Sequence, residues 1–193
     1  MIAILKYNAG NVQSVENAIQ RLGYKTIVTD DVAILKSADK VIFPGVGEAS
    51  SAMEYLVERG LDQVIKELKK PVLGICLGMQ LMCAFSEEGN TKGIGVFSNV
   101  VRKFPPLEIV PHMGWNDFKL LEGDSIFEGI AEADNFYYVH SYYATLNTCT
   151  IAVNDYILPF SAALQKDNFY AVQFHPEKSG KIGELLLKNF LEL

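Results

Sequence analysis

The stretch Pro71-Val-Leu-Gly-Ile-Cys-Leu-Gly-Met-Gln80 carries the strongest structural signal in this chain. A short apolar run leads into Cys76, and a helical pattern follows it. A strand that turns sharply into a helix, with the small residues Gly74 and Gly78 beside the turn, is typical of a nucleophile elbow. The turn also puts Cys76 at a helix N-terminus, where partial positive charge favours the reactive thiolate. We therefore predict that Cys76 is a nucleophile.

A candidate base lies about a hundred residues downstream, in the stretch Gln173-Phe-His-Pro-Glu-Lys-Ser179. His175 and Glu177 are two residues apart at the end of a predicted strand, so both side chains can face one site. The carboxylate can hold one imidazole nitrogen while the other nitrogen faces the thiol. The combination predicts a Cys76–His175–Glu177 triad for acyl transfer. Taken singly, a cysteine in an apolar run or a lone histidine is more often a packed core residue, and Cys83 and Cys149 are interpreted in that way.

Acyl transfer also requires donors for an oxyanion, and backbone N–H groups are the usual ones. Leu77 offers its N–H directly after the nucleophile. The loop Pro44-Gly-Val-Gly47 follows another predicted strand, and its glycines allow a peptide of Gly45 or Val46 to turn towards the site. The alternative is a strand-to-helix turn that has no chemistry.

The bulk composition sets limits on the function. The chain has 193 residues and a formal net charge of -6, which argues weakly against a nucleic-acid partner. We expect one domain over residues 1–193, without a membrane span or a signal peptide. Three cysteines do not suggest a disulfide framework, so the cytoplasm is the expected compartment. No Cys-x-x-Cys or His-x-x-x-His spacing occurs, and we predict neither a metal nor a cofactor.

The order of strands and helices predicts an α/β fold with a mostly parallel central sheet covered by helices on both faces. Antiparallel strands are expected in the C-terminal half, where short strands follow one another without long helices. The reactive groups should collect beyond the carboxyl ends of the parallel strands. Strands are expected at 2–7, 24–28, 40–43, before Cys76, and around 95–103, 136–143, 151–153 and 168–174; helices are expected at 12–22, 48–59, 61–68 and 179–193.

Five motifs in order resemble the class I glutamine amidotransferases, a flavodoxin-like family. They are Gly74–Gln80, Phe174–Ser179, Pro44–Gly47, Pro111-His-Met-Gly-Trp-Asn116 and Tyr138-Val-His-Ser-Tyr142. Within that family, the motifs resemble the glutaminase subunits of imidazole glycerol phosphate synthase, and the resemblance covers nearly the whole chain. It implies that Cys76 attacks the side-chain amide of glutamine, that ammonia leaves, and that water hydrolyses the resulting thioester to glutamate.

The resemblance also implies roles for the residues around the nucleophile. Gln80 is expected to contact bound glutamine, while His140, Ser141 and Tyr142 hold its α-amino and α-carboxylate groups. Gly47, with Glu48 more weakly, is expected to line the same pocket. Taken without the family, His140 is as readily interpreted as a structural histidine.

A separate partner is implied as well. Family members pass ammonia to a cyclase subunit with a (β/α)₈ barrel, which this chain is too short to contain. The resemblance therefore implies a heterodimer that makes imidazole glycerol phosphate and an aminoimidazole-carboxamide ribonucleotide in histidine biosynthesis. We expect the cyclase to switch on the glutaminase through the Pro44–Gly47 loop, which in the isolated subunit does not present its oxyanion donor. Positions matching the family interface are Asn8, Asn11, Trp115, Asn116 and Lys178, although a single tryptophan is also typical of a buried core.

The first loop departs from the family pattern, because Tyr7-Asn8 stands where many members carry an acidic residue near the end of the first strand. Two alternatives to the histidine pathway stay open. One is a paralogous amidotransferase that feeds another synthase, for instance in the modification of a nucleotide-linked sugar. The other is a non-catalytic regulatory protein that has retained the fold.

Overall fold

The computed structural model describes residues 1–8, 10–121 and 125–193, and contains the following elements. The helices are α1 (Val12–Arg21), α2 (Val32–Ser37), α3 (Ala49–Glu58), α4 (Leu61–Glu67), α5 (Leu77–Met82) and α6 (Gly180–Glu192). The strands are β1 (Ile2–Leu5), β2 (Thr26–Thr29), β3 (Lys40–Phe43), β4 (Val72–Ile75), β5 (Phe85–Ser86), β6 (Thr91–Lys92), β7 (Val100–Lys103), β8 (His112–Asn116), β9 (Lys119–Leu120), β10 (Phe136–His140), β11 (Tyr142–Ala144), β12 (Thr150–Tyr156), β13 (Leu158–Lys166) and β14 (Phe169–Val172).

An eight-stranded sheet forms the centre of the molecule, in the order β2-β1-β3-β4-β14-β13-β12-β9. The first five strands in this order, ending with β14, are parallel to one another. The remaining pairs, β14 with β13, β13 with β12 and β12 with β9, are antiparallel. The pairing of β14 with β4 sets Val172 opposite Ile75. The residues that follow these two strands therefore meet at the same edge of the sheet, although they are far apart in sequence.

Two apolar cores lie on opposite faces of this sheet, as strand alternation requires. In β1, Ala3 and Leu5 point into the core beneath α3, α4 and α5, whereas Ile2 and Ile4 point into the core beneath α1 and α6. Both faces are thus covered, which explains why the central strands are continuous apolar runs in the sequence.

Two smaller sheets stand beside the main one. Strands β8 and β10 form an antiparallel ribbon that sets His112 opposite His140 and Trp115 opposite Tyr137. Strands β11, β7, β5 and β6 form the other sheet. The ribbon therefore carries two of the sequence motifs side by side.

The predicted fold class is confirmed, and most predicted elements are present with ends that differ by at most three residues. The prediction for 95–103 was wrong in its first half, because only Val100–Lys103 is a strand and Gly95 has a φ of +74°. Helix α2 was missed because it has only six residues; Asp31 caps it by accepting a hydrogen bond from the Ile34 N–H. Strand β13 was also missed. Ala9, between the predicted first strand and the predicted first helix, lies outside the described residues. None of the described helices is long and apolar enough to cross a bilayer.

Candidate active site

Cys76 lies at a sharp turn between β4 and α5, with φ of 51° and ψ of -106°. A positive φ is uncommon for a residue that carries a Cβ, and such strain is concentrated at functional turns. Helix α5 packs so closely on β3 that a Cβ at Gly78 would lie 1.9 Å from the carbonyl oxygen of Phe43. The turn is therefore possible only with a glycine at this position, as the elbow prediction required.

Cys76, the predicted nucleophile, is almost buried and only 6% exposed. Its backbone N–H donates to the carbonyl oxygen of Val172 at 2.8 Å, which ties the elbow to β14. The main chain of Cys76 is therefore anchored to the strand that precedes His175.

His175 and Glu177 follow β14 and form a buried pair, with His175 Nδ1 2.8 Å from Glu177 Oε1. The Nε2 atom of His175 is buried and has no hydrogen-bond partner among the described residues. Burial lowers the pKa of His175, but the charges of Cys76 and Glu177 outweigh burial and raise this pKa to about 10. The ring is therefore protonated at neutral pH, beside the sulfur of the predicted nucleophile.

Asn11 also contacts the carboxylate of the pair. Its Nδ2 donates a hydrogen bond to Glu177 Oε1, the same oxygen that faces His175. Asn11 has a φ of 72°, a left-handed conformation that asparagine tolerates better than most residues. This residue was expected at a partner interface, and the structure also places it against the predicted triad.

The Leu77 N–H group, one of the predicted oxyanion donors, already has a hydrogen-bond acceptor. The backbone N–H of Leu77 donates to the carbonyl oxygen of Gly45 at 3.2 Å. The segment around Gly45 is held on both sides, because the Tyr7 hydroxyl donates to the Pro44 carbonyl at 2.5 Å and the Gly10 N–H donates to the Val46 carbonyl at 3.0 Å. The Tyr7 side chain of the divergent first loop thus packs directly on the oxyanion segment.

A cavity of about 280 Å³ opens above Cys76. All five residues predicted to bind substrate line it, together with two of the three predicted oxyanion residues; Gly45 is not part of the lining. The lining consists of Val46, Gly47, Cys76, Leu77, Gln80, Glu88, Pro111, Val139, His140, Ser141 and Tyr142. Glu48 is instead the cap of α3, where its carboxylate accepts from the N–H groups of Ser50 and Ser51. The Ser50 hydroxyl also donates to this carboxylate. This bond above all, together with the backbone bonds, lowers the pKa of Glu48 to about 2.

Glu88 is a cavity residue that sequence analysis missed. It follows β5 in a short 3₁₀ turn, and one carboxylate oxygen accepts the Ala49 N–H at 2.9 Å. Burial and the neighbouring Glu48 raise its pKa despite the Ala49 bond. No motif flanks Glu88, so only the folded chain identifies it as the acidic group of this cavity.

Gln173 was also missed as a functional residue, although it stands inside a quoted motif. Its side chain is completely buried, and its Nε2 donates to Cys76 Sγ at 3.6 Å. Its Oε1 accepts from Gln80 Nε2 at 2.9 Å, and the same Gln80 atom donates to the Tyr142 carbonyl at 2.9 Å. Because both acceptors take the Gln80 Nε2 hydrogens, the Oε1 of Gln80 is the atom left to accept a bond from a ligand.

Of the five predicted interface residues, Asn8, Trp115 and Lys178 are exposed, and Asn11 and Asn116 are partly buried. Trp115 is 58% exposed, so it is not a core residue, and it packs edge-on against Tyr137 with ring centroids 6.0 Å apart. Lys178 Nζ lies 6.0 Å from the centre of the same Tyr137 ring. Asn8 is exposed and donates to the Ser51 carbonyl at 3.0 Å, and Asn116 is partly buried.

The other two cysteines are placed away from this chemistry. Cys83 is fully buried and its Sγ donates to the Met79 carbonyl at 3.5 Å; burial, with Cys149 nearby, raises its pKa far above the ordinary value. The described part of the chain contains no cluster of His, Cys, Asp and Glu that could hold a metal ion.

Comparison with known proteins agrees with this geometry. The family model "Glutamine amidotransferase class-I" matches residues 3–193. A protein of Bacteroides fragilis named "Imidazole glycerol phosphate synthase subunit HisH" is 58% identical over 100% of this chain and 99% of its own length. Proteins with the same name are 55% identical in Bacteroides thetaiotaomicron, over 100% of this chain and 99% of their own, and 49% identical in Haemophilus influenzae, over 99% and 96%.

Solved structures support the fold. A "putative gmp synthase subunit a protein" from Thermoplasma acidophilum superposes with a TM-score of 0.78 at 19% identity, covering 100% of this chain and 92% of that one. A glutamine amidotransferase from Thermotoga maritima gives a TM-score of 0.70 at 14% identity, covering 99% and 96%. With the family model spanning nearly the whole sequence and close relatives matching end to end, the chain belongs to the class I glutamine amidotransferases.

Proposed function

We propose that this chain is the glutaminase subunit of an imidazole glycerol phosphate synthase and releases ammonia from glutamine through a thioester on Cys76. The observation that carries the proposal is the position of Cys76 at a strained elbow, beside the buried His175–Glu177 pair and beneath a cavity. The full-length relatives named as HisH subunits supply the pathway.

The chemistry follows from the charges of the pair. The Cys76 thiolate attacks the side-chain carbonyl carbon of glutamine and forms a tetrahedral intermediate. Protonated His175 gives its proton to the amide nitrogen, the C–N bond breaks, and ammonia leaves. His175 is then neutral and removes a proton from water, which attacks the thioester and releases glutamate. Glu177 holds the ring in place and stabilises its charged form throughout.

Substrate recognition is assigned to the polar groups of the cavity. The Glu88 carboxylate suits the α-ammonium group of glutamine, and Ser141 and Tyr142 are assigned to its α-carboxylate. The free Oε1 of Gln80 suits an N–H donor of the substrate. One acidic group and several neutral donors in a small cavity fit a zwitterionic amino acid.

The oxyanion segment is assigned a regulatory role. While the Gly45 carbonyl accepts the Leu77 N–H, that donor is not available to a tetrahedral intermediate. Rotation of the peptide between Gly45 and Val46 would free Leu77 and turn the Val46 N–H into the site. The neighbouring carbonyls of Pro44 and Val46 are held by Tyr7 and Gly10, so a single peptide can rotate without moving the whole segment.

The partner is assigned by the fate of the product. Free ammonia is protonated and diluted in water, so a second protein should receive it. We assign this role to a cyclase with a (β/α)₈ barrel, docked on the exposed face that contains Trp115 and Lys178. With that partner the products would be imidazole glycerol phosphate and an aminoimidazole-carboxamide ribonucleotide. The cytoplasmic location remains a prediction.

The test is reconstitution with the cognate cyclase. We expect glutamate and imidazole glycerol phosphate to form from glutamine in the complex, and Cys76→Ala to abolish glutamate formation while it still binds the cyclase. A complex that forms but releases no glutamate would contradict the proposal. Failure of the chain and its cyclase to restore growth of a histidine auxotroph, with glutaminase activity intact, would instead favour a paralogous synthase.

A further inference from the structure

Two buried histidines form a hydrogen-bonded pair next to the cavity. His112 on β8 and His140 on β10 face each other across the ribbon, with His112 Nδ1 3.0 Å from His140 Nε2. His140 Nδ1 lies 2.7 Å from the Tyr142 carbonyl, and His112 Nε2 lies 3.3 Å from Asn116 Nδ2. All four ring nitrogens are therefore engaged, and His140 has none left for a ligand.

The partners at both ends determine which nitrogen carries each proton. A carbonyl can only accept, so His140 Nδ1 donates to Tyr142. At the other end, Asn116 Oδ1 accepts the Asp117 N–H at 3.0 Å and Asn116 Nδ2 donates to Asn154 Oδ1 at 3.1 Å. Asn116 therefore presents N–H to His112, whose Nε2 must accept. His112 Nδ1 then donates to His140 Nε2, and both rings are neutral with the proton on Nδ1.

The surroundings favour this neutral state. His112 lies between the rings of Tyr138 and Tyr156, with centroids 4.9 Å and 4.1 Å away. Burial lowers the pKa of His112 to about 4. Burial likewise lowers the pKa of His140 to about 3, with smaller contributions from His112 and His175 against the Tyr142 bond. A charged ring at either position would also place two donors face to face.

The pair is connected to the nucleophile through Tyr142. The Tyr142 carbonyl accepts from both His140 and Gln80, Gln80 also donates to Gln173, and Gln173 donates to Cys76 Sγ. A continuous series of hydrogen bonds thus runs from the ribbon to the sulfur. We call His112, His140, Gln80 and Gln173, with the Tyr142 carbonyl, the polar relay.

We propose that His112 is a positioning residue for glutamine hydrolysis. As a neutral Nδ1 donor it orients His140. Through the Tyr142 carbonyl, it also orients the side-chain amides of Gln80 and Gln173 beside Cys76. This inference rests on the proposed function and adds a residue that touches neither the cavity nor the triad. It also gives His140 a positioning role in place of direct contact with glutamine.

Two substitutions separate hydrogen bonding from packing. His112→Asn keeps an N–H donor near the place of Nδ1 but loses the ring that stacks on the tyrosines. His112→Phe keeps a stacking ring but leaves the buried His140 Nε2 without a hydrogen-bond donor. Tyr156→Phe is the matched control, since it keeps the stacking and removes only a hydroxyl that bonds the Ile109 carbonyl.

In the complex with the cyclase, we expect kcat/KM for glutamine to fall about ten-fold in His112→Phe, mainly through KM, which corresponds to roughly 1.4 kcal/mol. His112→Asn should stay within about three-fold of the parent enzyme despite a lower Tm. Tyr156→Phe should match the parent. If activity instead follows Tm, so that His112→Asn is the poorer enzyme, His112 is a packing residue only.

A measurement on the isolated chain is independent of activity. Two-bond ¹H–¹⁵N spectra distinguish protonated from unprotonated ring nitrogens. We expect both His112 and His140 to have a protonated Nδ1 and an unprotonated Nε2 throughout pH 6–8, in the parent chain and in Cys76→Ala. A protonated Nε2 on either ring would overturn the inference. An inactive complex with the expected spectra would contradict the proposed function and leave the tautomers established.

Discussion

The backbone N–H of Leu77, the residue after Cys76, donates to the carbonyl oxygen of Gly45 at 3.2 Å. The donor best placed to stabilise an oxyanion is thus satisfied by the chain's own backbone. The elbow and the His175–Glu177 pair are assembled in the same structure. The proposed rotation of the Gly45–Val46 peptide would free this donor.

The first prediction concerns the other donor of the oxyanion segment. Val46→Pro removes the Val46 N–H and leaves its carbonyl, which accepts from Gly10, in place. Loss of one such donor typically costs about 10²–10³ in kcat. We expect that loss in glutaminase assays of the complex. Val46→Ala retains the N–H and should stay close to the parent; equal losses in both variants would show that the side chain, not the N–H, matters.

The second prediction concerns the charge on His175. Its pKa is raised to about 10, so the proton stays on the ring through neutral pH and is lost only as pH approaches that value. Because this pKa lies above the ordinary value of about 6.5, the charged ring contributes stability fully below pH 6.5, and that contribution disappears as pH rises towards 10.

Glu177→Gln removes one of the charges that raise this pKa, so burial should then pull it down. We expect the alkaline limb of the kcat/KM profile to move to lower pH, and kcat at pH 8 to fall by about ten-fold or more. Glu184→Gln, which alters an exposed ion pair with Arg21, serves as the control. An unchanged alkaline limb in Glu177→Gln would contradict the assignment.

The third prediction concerns Glu88 at the cavity. Glu88→Gln removes the negative charge assigned to the substrate ammonium group, so we expect KM for glutamine to rise about ten-fold while kcat changes little. Since the pKa of Glu88 is raised, KM in the parent should also increase as acidification protonates this carboxylate. The neighbouring Glu87→Gln is the control, because Glu87 is outside the cavity and bonds the Lys103 N–H. Equal KM values in the two variants would remove Glu88 from substrate binding.

The fourth prediction concerns the surface around Trp115. Trp115→Ala should weaken binding of the cyclase by about 2 kcal/mol, since exposed aromatic anchors dominate interfaces, while leaving the free energy of unfolding almost unchanged. Titration calorimetry and thermal unfolding measure the two effects. Val57 on α3 is 56% exposed, similar to Trp115, and Val57→Ala should change neither. Unweakened binding by Trp115→Ala would place the interface elsewhere.

The local sequence was sufficient to predict the elbow at Cys76 and the His175–Glu177 pair that follows β14. The apolar run, the flanking glycines and the two-residue spacing of His175 and Glu177 act over a few residues, so they can be recognised without knowing the fold. Strand and helix alternation likewise predicted the parallel half of the sheet. Helix α2 was missed because it has only six residues, and strand β13 was missed although it pairs with β12 and β14.

Other features exist only because distant segments meet. The Gly45–Leu77 bond, Glu88 in the cavity, Gln173 on the sulfur and the His112–His140 pair each join groups from separate elements, so no spacing in the sequence encodes them. The sequence by itself predicted Cys76 at an elbow, the His175–Glu177 pair that the structure brings beside it, and the family, which the comparisons confirm. The tertiary structure decided which donors are occupied, which nitrogens carry protons and which acidic side chain reaches the cavity, because those properties depend on burial and on partners brought together by the register of the sheet.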